Sequence, residues 1–167
     1  PIKQLDFRAS YKWLDVKAVL AGELQSRVMV PDHRGFFNEG YTTRNKRWMA
    51  DATVSVFGQS RLPVNVLPDG SLTTDNSSRT YAILNAQITH VYHGWEFYLG
   101  GENLGNYVQR NPIIDSENPF SSTFDATRVW APVVGMNVYA GFRFTIKQPK
   151  REEVEGDHIG HTGHDHE

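Results

Sequence analysis

Hydrophobic and polar residues alternate along much of the chain, which is the pattern of a β-strand whose two faces meet different surroundings. The first segment alternates over ten consecutive positions. Its apolar residues are Leu5, Phe7, Ala9, Tyr11 and Trp13, and its polar residues are Gln4, Asp6, Arg8, Ser10 and Lys12. This segment predicts a strand with one apolar and one polar face.

The same alternation returns in four further segments, and each of them predicts a strand. Their apolar positions are Trp48, Ala50, Ala52, Val54 and Val56; Leu84, Ala86, Ile88 and Tyr92; Trp95, Phe97 and Leu99; and Trp130, Val134, Met136, Val138, Ala140, Phe142, Phe144 and Ile146. A strand around 30–43 is placed by topology, because the chain needs it to stay antiparallel. We therefore expect an all-β fold of about six antiparallel strands, the last extending over roughly 15 residues or ~50 Å.

The connections between these strands alternate in length. Tight turns at 44–46 and 93–94 alternate with long loops at 14–29, 58–79 and 105–127, which contain Gly, Pro, Asn, Asp and Ser. Short turns on one side and long loops on the other are typical of outer-membrane β-barrels.

Aromatic residues lie at both ends of the predicted apolar face. Those expected at the turn side are Trp48, Tyr92, Trp95 and Phe144, and those expected at the loop side are Trp13 and Trp130. Two such belts are typical of a surface that faces lipid. The alternative is a soluble β-sandwich, whose apolar face would pack against a second sheet.

Composition excludes several classes of function. The chain has 167 residues, with 17 Lys and Arg against 19 Asp and Glu, so it lacks the basic excess of a nucleic-acid-binding domain. It has no Cys, which excludes a disulfide scaffold and a thiolate site. No Gly-x-Ser-x-Gly, His-Glu-x-x-His or phosphate-loop motif is present, and we expect no enzyme activity. The start at Pro1, without a leader, suggests a piece of a longer protein.

The last segment, 147–167, differs from the rest in being acidic and rich in His. The candidate metal ligands there are His158, His161, His164, Asp165 and His166. Neutral imidazole binds Zn, Cu and Ni, and a flexible chain with these spacings can wrap one ion with modest, pH-dependent affinity. The alternative is a solvated tail without a ligand. His90 and His93 flank a turn, and turn chemistry explains them better than a metal site does.

The polar positions of the strands are candidates for the inside of a barrel. These lumen-facing residues are Asp6, Arg8, Asp51, Asn85, Gln87, Glu96, Glu102 and Arg143. They would contact a plug domain or line a substrate path; the alternative is a wetted interior with no specific role.

Several segments together resemble the C-terminal barrel strands of TonB-dependent outer-membrane receptors. They are Tyr81–Ala86, Phe97–Asn106, Arg47–Gly58, Pro31–His33 and Val138–Phe144. In the last of them, Tyr139, Gly141, Phe142 and Phe144 resemble the terminal aromatic signal that the barrel-assembly machinery recognises. The segment 111–125 is similar to receptors of the Bacteroidetes kind.

This resemblance implies that 1–146 is the C-terminal portion of a roughly 22-stranded barrel, and that 147–167 is a periplasmic tail. A plug domain and a segment that engages the TonB complex would come from the missing N-terminal part. The expected location is the outer membrane of a Gram-negative bacterium, and the expected function is uptake of a scarce nutrient, with a metal ion or metal chelate as the sharper expectation. The alternatives are a non-transporting structural barrel, a subunit of a larger outer-membrane assembly, and a soluble β-sheet binding module.

Overall fold

The structure, a computed structural model, describes residues 3–146, and within this range the chain forms strands and loops without a helix. The strands are β1 (Leu5–Trp13), β2 (Lys17–Leu20), β3 (Glu23–Ser26), β4 (His33–Thr42), β5 (Trp48–Phe57), β6 (Tyr81–Tyr92), β7 (Trp95–Glu102) and β8 (Asn137–Phe144). The prediction of an all-β fold is confirmed. In this part of the chain there is no helix with the length and hydrophobicity needed to cross a membrane.

Six of the strands form one antiparallel sheet in the order β1-β4-β5-β6-β7-β8. The sheet is open, because β1 and β8 lie at its two edges and do not pair with each other. The three long connections leave one end of the sheet, which we call the loop end. The turns after β4 and β6 lie at the opposite end, which we call the turn end.

Strands β2 and β3 form a separate hairpin within the first long connection, which the sequence predicts only as a loop. Ala21 and Gly22 make its turn with φ angles of 51° and 84°. Positive φ at both central residues is the requirement of a type I′ turn, whose twist suits a two-residue hairpin. Four-residue strands are too short for an alternation pattern to reveal them.

The prediction for the last strand is wrong in length. Strand β8 has 8 residues, and the chain between 130 and 136 lies outside the sheet. Pro132 has no N–H to donate to a strand ladder. In addition, the Met136 N–H donates to Asn106 Oδ1 at 2.9 Å instead of to β7. The apolar residues before β8 therefore belong to a folded loop.

The register places one apolar face across all six strands of the main sheet. Directly paired residues share a face, and the row Ala9, Phe37, Val54 and Leu84 crosses four neighbouring strands. We call this surface the apolar face. Its members are Leu5, Phe7, Ala9, Tyr11, Trp13, His33, Gly35, Phe37, Glu39, Tyr41, Trp48, Ala50, Ala52, Val54, Val56, Ala82, Leu84, Ala86, Ile88, His90, Tyr92, Trp95, Phe97, Leu99, Gly101, Val138, Ala140, Phe142 and Phe144. Glu39 is the one carboxylate among them.

No second layer covers the apolar face within residues 3–146. Phe7, Tyr11 and Phe142 are 66%, 68% and 67% exposed. The buried hydrophobic residues of the described chain are Leu62 and Ala131, which both lie in loops. The described sheet therefore has no sandwich core, and the burial that normally stabilises such a sheet has to come from another surface.

Candidate functional site

Two long loops meet over the loop end of the sheet and line an open cavity of about 880 Å³. Loop A covers 58–80 and joins β5 to β6, whereas loop B covers 103–136 and joins β7 to β8. The volume lies within the range of small-molecule sites, roughly 300–1,000 Å³. Among the lining residues are Arg79, Tyr107, Arg110, Arg128 and Trp130.

Asn103 starts loop B by holding the chain in a left-handed turn with φ of 50°. Its backbone N–H donates to Asn85 Oδ1 at 2.9 Å, and its side-chain amide donates to the Tyr107 carbonyl at 2.8 Å. Its Oδ1 accepts from the Tyr107 N–H at 3.0 Å. Asn is among the residues that tolerate this conformation and can bond to nearby backbone, so it fixes where Tyr107 enters the cavity wall.

Gln109 holds the two arms of loop B together and is itself buried. Its backbone N–H donates to the Pro132 carbonyl and its side-chain amide to the Arg128 carbonyl, both at 2.8 Å. Its Oε1 accepts from the N–H groups of Trp130 and Ala131 at 2.9 and 3.1 Å. Because a buried polar group without a partner is costly, these three side-chain hydrogen bonds fix the arms against each other.

Polar contacts also tie loop A to loop B. The Asn65 amide donates to the Asp125 carboxylate and, at 3.1 Å, to Thr127 Oγ1. The Arg128 guanidinium donates to the carbonyls of Pro63 and Asp75 at 3.2 and 2.5 Å. These contacts close the cavity along one side.

Hydrogen bonds within loop B lower the pKa of two of its carboxyl groups. Hydrogen bonds from Thr127 lower the pKa of Asp125, with smaller contributions from Asn65 and the nearby Arg128 charge. Hydrogen bonds from Thr123, Asn118 and Ser121 lower the pKa of Asp115. Both groups therefore stay ionised at neutral pH, and the ionised form is the one that the loop stabilises.

A column of aromatic rings runs from the polar side of the sheet into the cavity wall. Phe57 stacks on Tyr81 at 4.8 Å, and Tyr81 stacks on Tyr107 at 5.1 Å. Trp130 packs on Tyr81 at 5.6 Å with its ring tilted by 55°, and its carbonyl accepts from the Tyr81 hydroxyl at 3.1 Å. The guanidinium of Arg34 lies 5.0 Å from the Phe57 ring centre. The prediction that Trp130 joins an aromatic belt on the apolar face is therefore wrong.

The wall of the cavity carries more positive than negative charge. Its lining includes Arg79, Arg110 and Arg128, and Asp75 is the acidic residue among them. Arg128 bonds to loop carbonyls, which fix its position, and its charge helps to lower the pKa of the nearby Asp125 carboxyl group. Arg79 and Arg110 are exposed, and within residues 3–146 neither makes a hydrogen bond or an ion pair. Sequence reasoning missed both residues, because single arginines in a loop have no periodicity.

The predicted lumen-facing residues all lie on the face of the sheet opposite the apolar face, which we call the polar face. They are Asp6, Arg8, Asp51, Asn85, Gln87, Glu96, Glu102 and Arg143. The structure joins Arg143 to Glu96, with 3.2 Å between Nη1 and Oε2. Arg8 lies 3.7 Å from Asp6 on the same strand, and both side chains are exposed. These contacts form separate pairs rather than one cluster.

Three of these residues are bound to neighbours that the sequence does not indicate. Asp51 accepts from the Asn38 amide at 3.0 Å, and Gln87 Oε1 accepts from the Tyr139 hydroxyl at 3.1 Å. Asn85 accepts from the Asn103 backbone and so connects the sheet to loop B. A structural role is thus visible for each of them.

The predicted metal ligands of the tail lie outside the described residues. They are His158, His161, His164, Asp165 and His166. From 3 to 146, no group of His, Asp and Glu side chains is placed to hold a metal ion. His90 packs on Trp48 at 4.2 Å between ring centres, and His93 meets Tyr92 edge-on at 4.3 Å. These two histidines make aromatic contacts at the turn end.

Comparison with protein-family models, with curated proteins and with solved structures finds no match to this chain.

Proposed function

We propose that the chain is the C-terminal part of the barrel of a TonB-dependent receptor, and that this receptor takes up a scarce nutrient across the outer membrane. The observation that carries the proposal is the apolar face, which is continuous over six strands and uncovered within the described chain. Lipid hydrocarbon is the surface that such a face suits best, since the polar face on the other side is suited to a wet lumen.

Strand length and aromatic positions support a bilayer as the covering surface. A transmembrane strand needs about 9–11 residues when tilted. Strands β1, β4, β5 and β6 have 9, 10, 10 and 12 residues, and β7 and β8 have 8 each. At the turn end, Trp95 packs on Phe144 at 4.7 Å and Trp48 packs on His90. Trp13 lies at the loop end of the same face. Aromatic rings in such places favour the two interfaces of a membrane.

The open edges support a larger barrel. Strands β1 and β8 each leave one row of backbone groups without a strand partner in the described chain. In hydrocarbon, unpaired N–H and C=O groups cost several kcal/mol each, so only a closed barrel is stable there. We propose that further strands, together with the plug domain, come from the rest of the receptor.

The orientation follows from the ends of the sheet. Outer-membrane barrels have short periplasmic turns and long outer loops. This arrangement would put the cavity between loops A and B outside the cell. The chain leaves β8 at the turn end, where the Thr145 N–H donates to the Gly94 carbonyl at 3.0 Å, so the tail would begin in the periplasm.

The cavity favours a receptor over a barrel with a purely structural role. A structural barrel needs no cavity lined by arginines and aromatic rings, whereas a receptor needs a place to hold its nutrient. The dependence on TonB is supported by the resemblance of the strand sequences. The choice of a metal ion or metal chelate as cargo is supported by the histidines of the tail.

Single cysteines test the membrane assignment, because the chain has none of its own. In the complete receptor in outer-membrane vesicles, Asp51→Cys and Thr53→Cys on β5 should react with a water-soluble maleimide. Ala50→Cys and Ala52→Cys, between and beside them on the same strand, should react only with a lipid-soluble maleimide. Equal labelling of both sets from water would refute the proposal.

Uptake tests the transport step. Cells that produce the receptor should accumulate radioactive Zn²⁺, Cu²⁺ or Ni²⁺ under metal limitation, and loss of TonB or addition of a protonophore should abolish the accumulation. Accumulation that persists without TonB would refute TonB dependence. If none of the three metals is accumulated, the proposal of a metal cargo is refuted. The cysteine labelling remains an independent test of the barrel assignment.

A further inference from the structure

We propose that the cavity between loops A and B binds a small anion with a planar apolar group, through Arg79 and Arg110 and the rings of Tyr107 and Trp130. This inference rests on the proposed receptor function and names the chemical class of its ligand as an anion, which agrees with an anionic metal chelate as cargo but not with a free metal cation. Arg79 and Arg110 are the starting point, because within residues 3–146 their side chains make no hydrogen bond or ion pair.

Arg79 and Arg110 supply the charge. Both line the cavity and both are exposed, and their guanidinium groups have no acidic partner within residues 3–146. Arg128 lies in the same wall, where two loop carbonyls hold it and the Asp125 carboxylate is near its charge. Like charges around one cavity repel each other, and an anion between them relieves that repulsion. The planar guanidinium suits a carboxylate or a phosphate, because it can donate two parallel hydrogen bonds.

Tyr107 and Trp130 supply the apolar part. Their ring centres are 6.4 Å apart, and the ring planes meet at 55°, so the two rings form an angled wall. Both are held in position: Tyr107 stacks on Tyr81, and the Trp130 backbone is bonded to Gln109 and Tyr81. A fixed aromatic wall favours a planar or apolar group of a ligand, since little entropy is lost on binding.

The size and charge argue against a macromolecule at this site. The cavity volume is that of a small-molecule pocket. Nucleic acid needs a basic stripe that follows a phosphate backbone, whereas these arginines line one cavity between two loops and the chain as a whole has a net charge of −2. A small ligand is the occupant that fits.

A matched pair of probes tests the charge requirement. The complete receptor in detergent is titrated by calorimetry with 4-nitrobenzoate and with 4-nitrobenzamide, which share the planar ring but differ in charge. We expect the carboxylate to bind at least about tenfold more tightly, and its affinity to fall as NaCl is raised. Phenyl phosphate should bind as the carboxylate does, and phenol should not. Equal binding of the charged and neutral probes would overturn the proposal, as would no binding of either anion at millimolar concentration.

Matched variants test the residues. Arg79→Gln and Arg110→Gln should each weaken binding of 4-nitrobenzoate about tenfold, and the double variant should weaken it further. The control is Arg44→Gln, which removes the same charge from an exposed position at the turn end. Unchanged affinity in the double variant, or an equal loss in the control, would overturn the proposal. Heat-modifiable migration in gels verifies that each variant has folded.

This result is separable from the proposed function. If the anion does not bind but the cysteine pattern and TonB-dependent uptake are as expected, only the ligand class is wrong. If the cysteine pattern fails, the receptor assignment is wrong, and the titration still reports directly on the cavity.

Discussion

At the residue scale, two glycines of the polar face each lie beneath a tyrosine of the neighbouring strand. Gly100 is paired with Tyr139, and Gly141 is paired with Tyr98. A Cβ atom added at Gly100 would overlap the Tyr139 ring, and one added at Gly141 would overlap the Tyr98 ring. The two tyrosines cross between β7 and β8 in opposite directions, with ring centres 6.4 Å apart. Each ring lies over the backbone of a glycine, in the space that a side chain would otherwise occupy.

This packing predicts that Gly100→Ala destabilises the β7–β8 pair. The new methyl group has to displace the Tyr139 ring, which also breaks the hydrogen bond from its hydroxyl to Gln87. Overpacking of this kind costs about 1–3 kcal/mol. Thermal unfolding of the receptor in detergent, followed by heat-modifiable migration, should show a lower midpoint.

The matched control for this prediction is Gly105→Ala in loop B. A Cβ atom at Gly105 meets nothing within 4 Å. Its unfolding midpoint should equal that of the native receptor. An equal effect of the two substitutions would mean that the tyrosine–glycine contacts do not contribute to stability.

At the element scale, the sequence predicts the long strands well and the loops poorly. Strands β1 and β5 each place an apolar side chain on every second residue, and β6 and β7 do so except at His90 and Gly101. All four begin and end within a few residues of the predicted positions. Strand β4 breaks the alternation at Phe36, Glu39 and Gly40, and the sequence predicts it only because its neighbours need an antiparallel partner. Alternation of hydrophobic and polar residues reveals a strand only when one face of the strand lies against an apolar environment and the other against a polar one.

The loops form the candidate site. Their structure depends on contacts that leave no periodic pattern of hydrophobic residues in the sequence. Gln109 and Asn103 fix loop B through backbone groups up to 31 residues away along the chain. In the sequence each is one polar residue among many in a loop. The apolar residues from 130 to 136 imitate a strand, although only Trp130 packs on the aromatic column and Val134 and Met136 are 71% and 52% exposed. This is why both the length of β8 and the position of Trp130 were predicted incorrectly.

Strand β8 carries the predicted assembly signal, and its aromatic residues give an element-scale prediction. Phe144 packs on Trp95 at 4.7 Å at the turn end of the apolar face. If the proposed assignment is right, Phe144→Ala should lower the amount of the protein in the outer membrane several-fold, because the assembly machinery would read an incomplete terminal signal. The measurement is immunodetection of the receptor in outer-membrane fractions.

The control for the assembly prediction is Phe120→Ala. Phe120 lies in loop B and is completely exposed, so the same deletion of an aromatic ring removes no packing. The level of this variant should stay native. Equal levels of the two variants would show that Phe144 is not part of the signal.

Loop B should depend on pH through its two carboxyl groups. Hydrogen bonds lower the pKa of Asp125 and Asp115 below the ordinary value of 3.8. A group with a lowered pKa in the folded state stabilises that state above its ordinary pKa, and the stabilisation is lost as pH falls through the lowered value. We therefore expect loop B to keep this stabilisation at neutral pH and to lose it progressively as pH falls below about 4.

Limited proteolysis and hydrogen exchange of loop B measure this dependence. The rate at which loop B is cut should stay constant from pH 8 to 5, with pepsin or hydrogen exchange used to follow the loop at lower pH. Asp125→Asn removes the ionised acceptor that binds Asn65 and Thr127. The variant should be more open at neutral pH and respond less to acid. A variant with native protection and a native acid response would contradict the assignment.

At the scale of the whole molecule, the unusual feature is the apolar face of the sheet, which no other part of the described chain covers. A sheet with one apolar and one polar face needs a partner on the apolar side, and both of its edges need further strands. A lipid bilayer and a larger barrel satisfy both requirements together. A soluble partner sheet would satisfy the first, but it would leave the edges and the aromatic positions without an explanation.

The tail from 147 to 167 provides the last prediction, which concerns the whole receptor. Its histidines should bind Zn²⁺, Cu²⁺ or Ni²⁺ as neutral imidazoles, so the affinity should fall as they gain protons between about pH 7 and 5. Calorimetry on the receptor in detergent, with and without 147–167, is the measurement. Binding that requires the tail and weakens at the lower pH would support a receptor that handles metal. The described residues hold no preformed cluster of metal ligands, so the truncated receptor is a clean reference for that region. Equal binding by the two forms would place any metal outside the tail, and absence of binding in both would leave the anion cavity as the one candidate ligand site of the described chain.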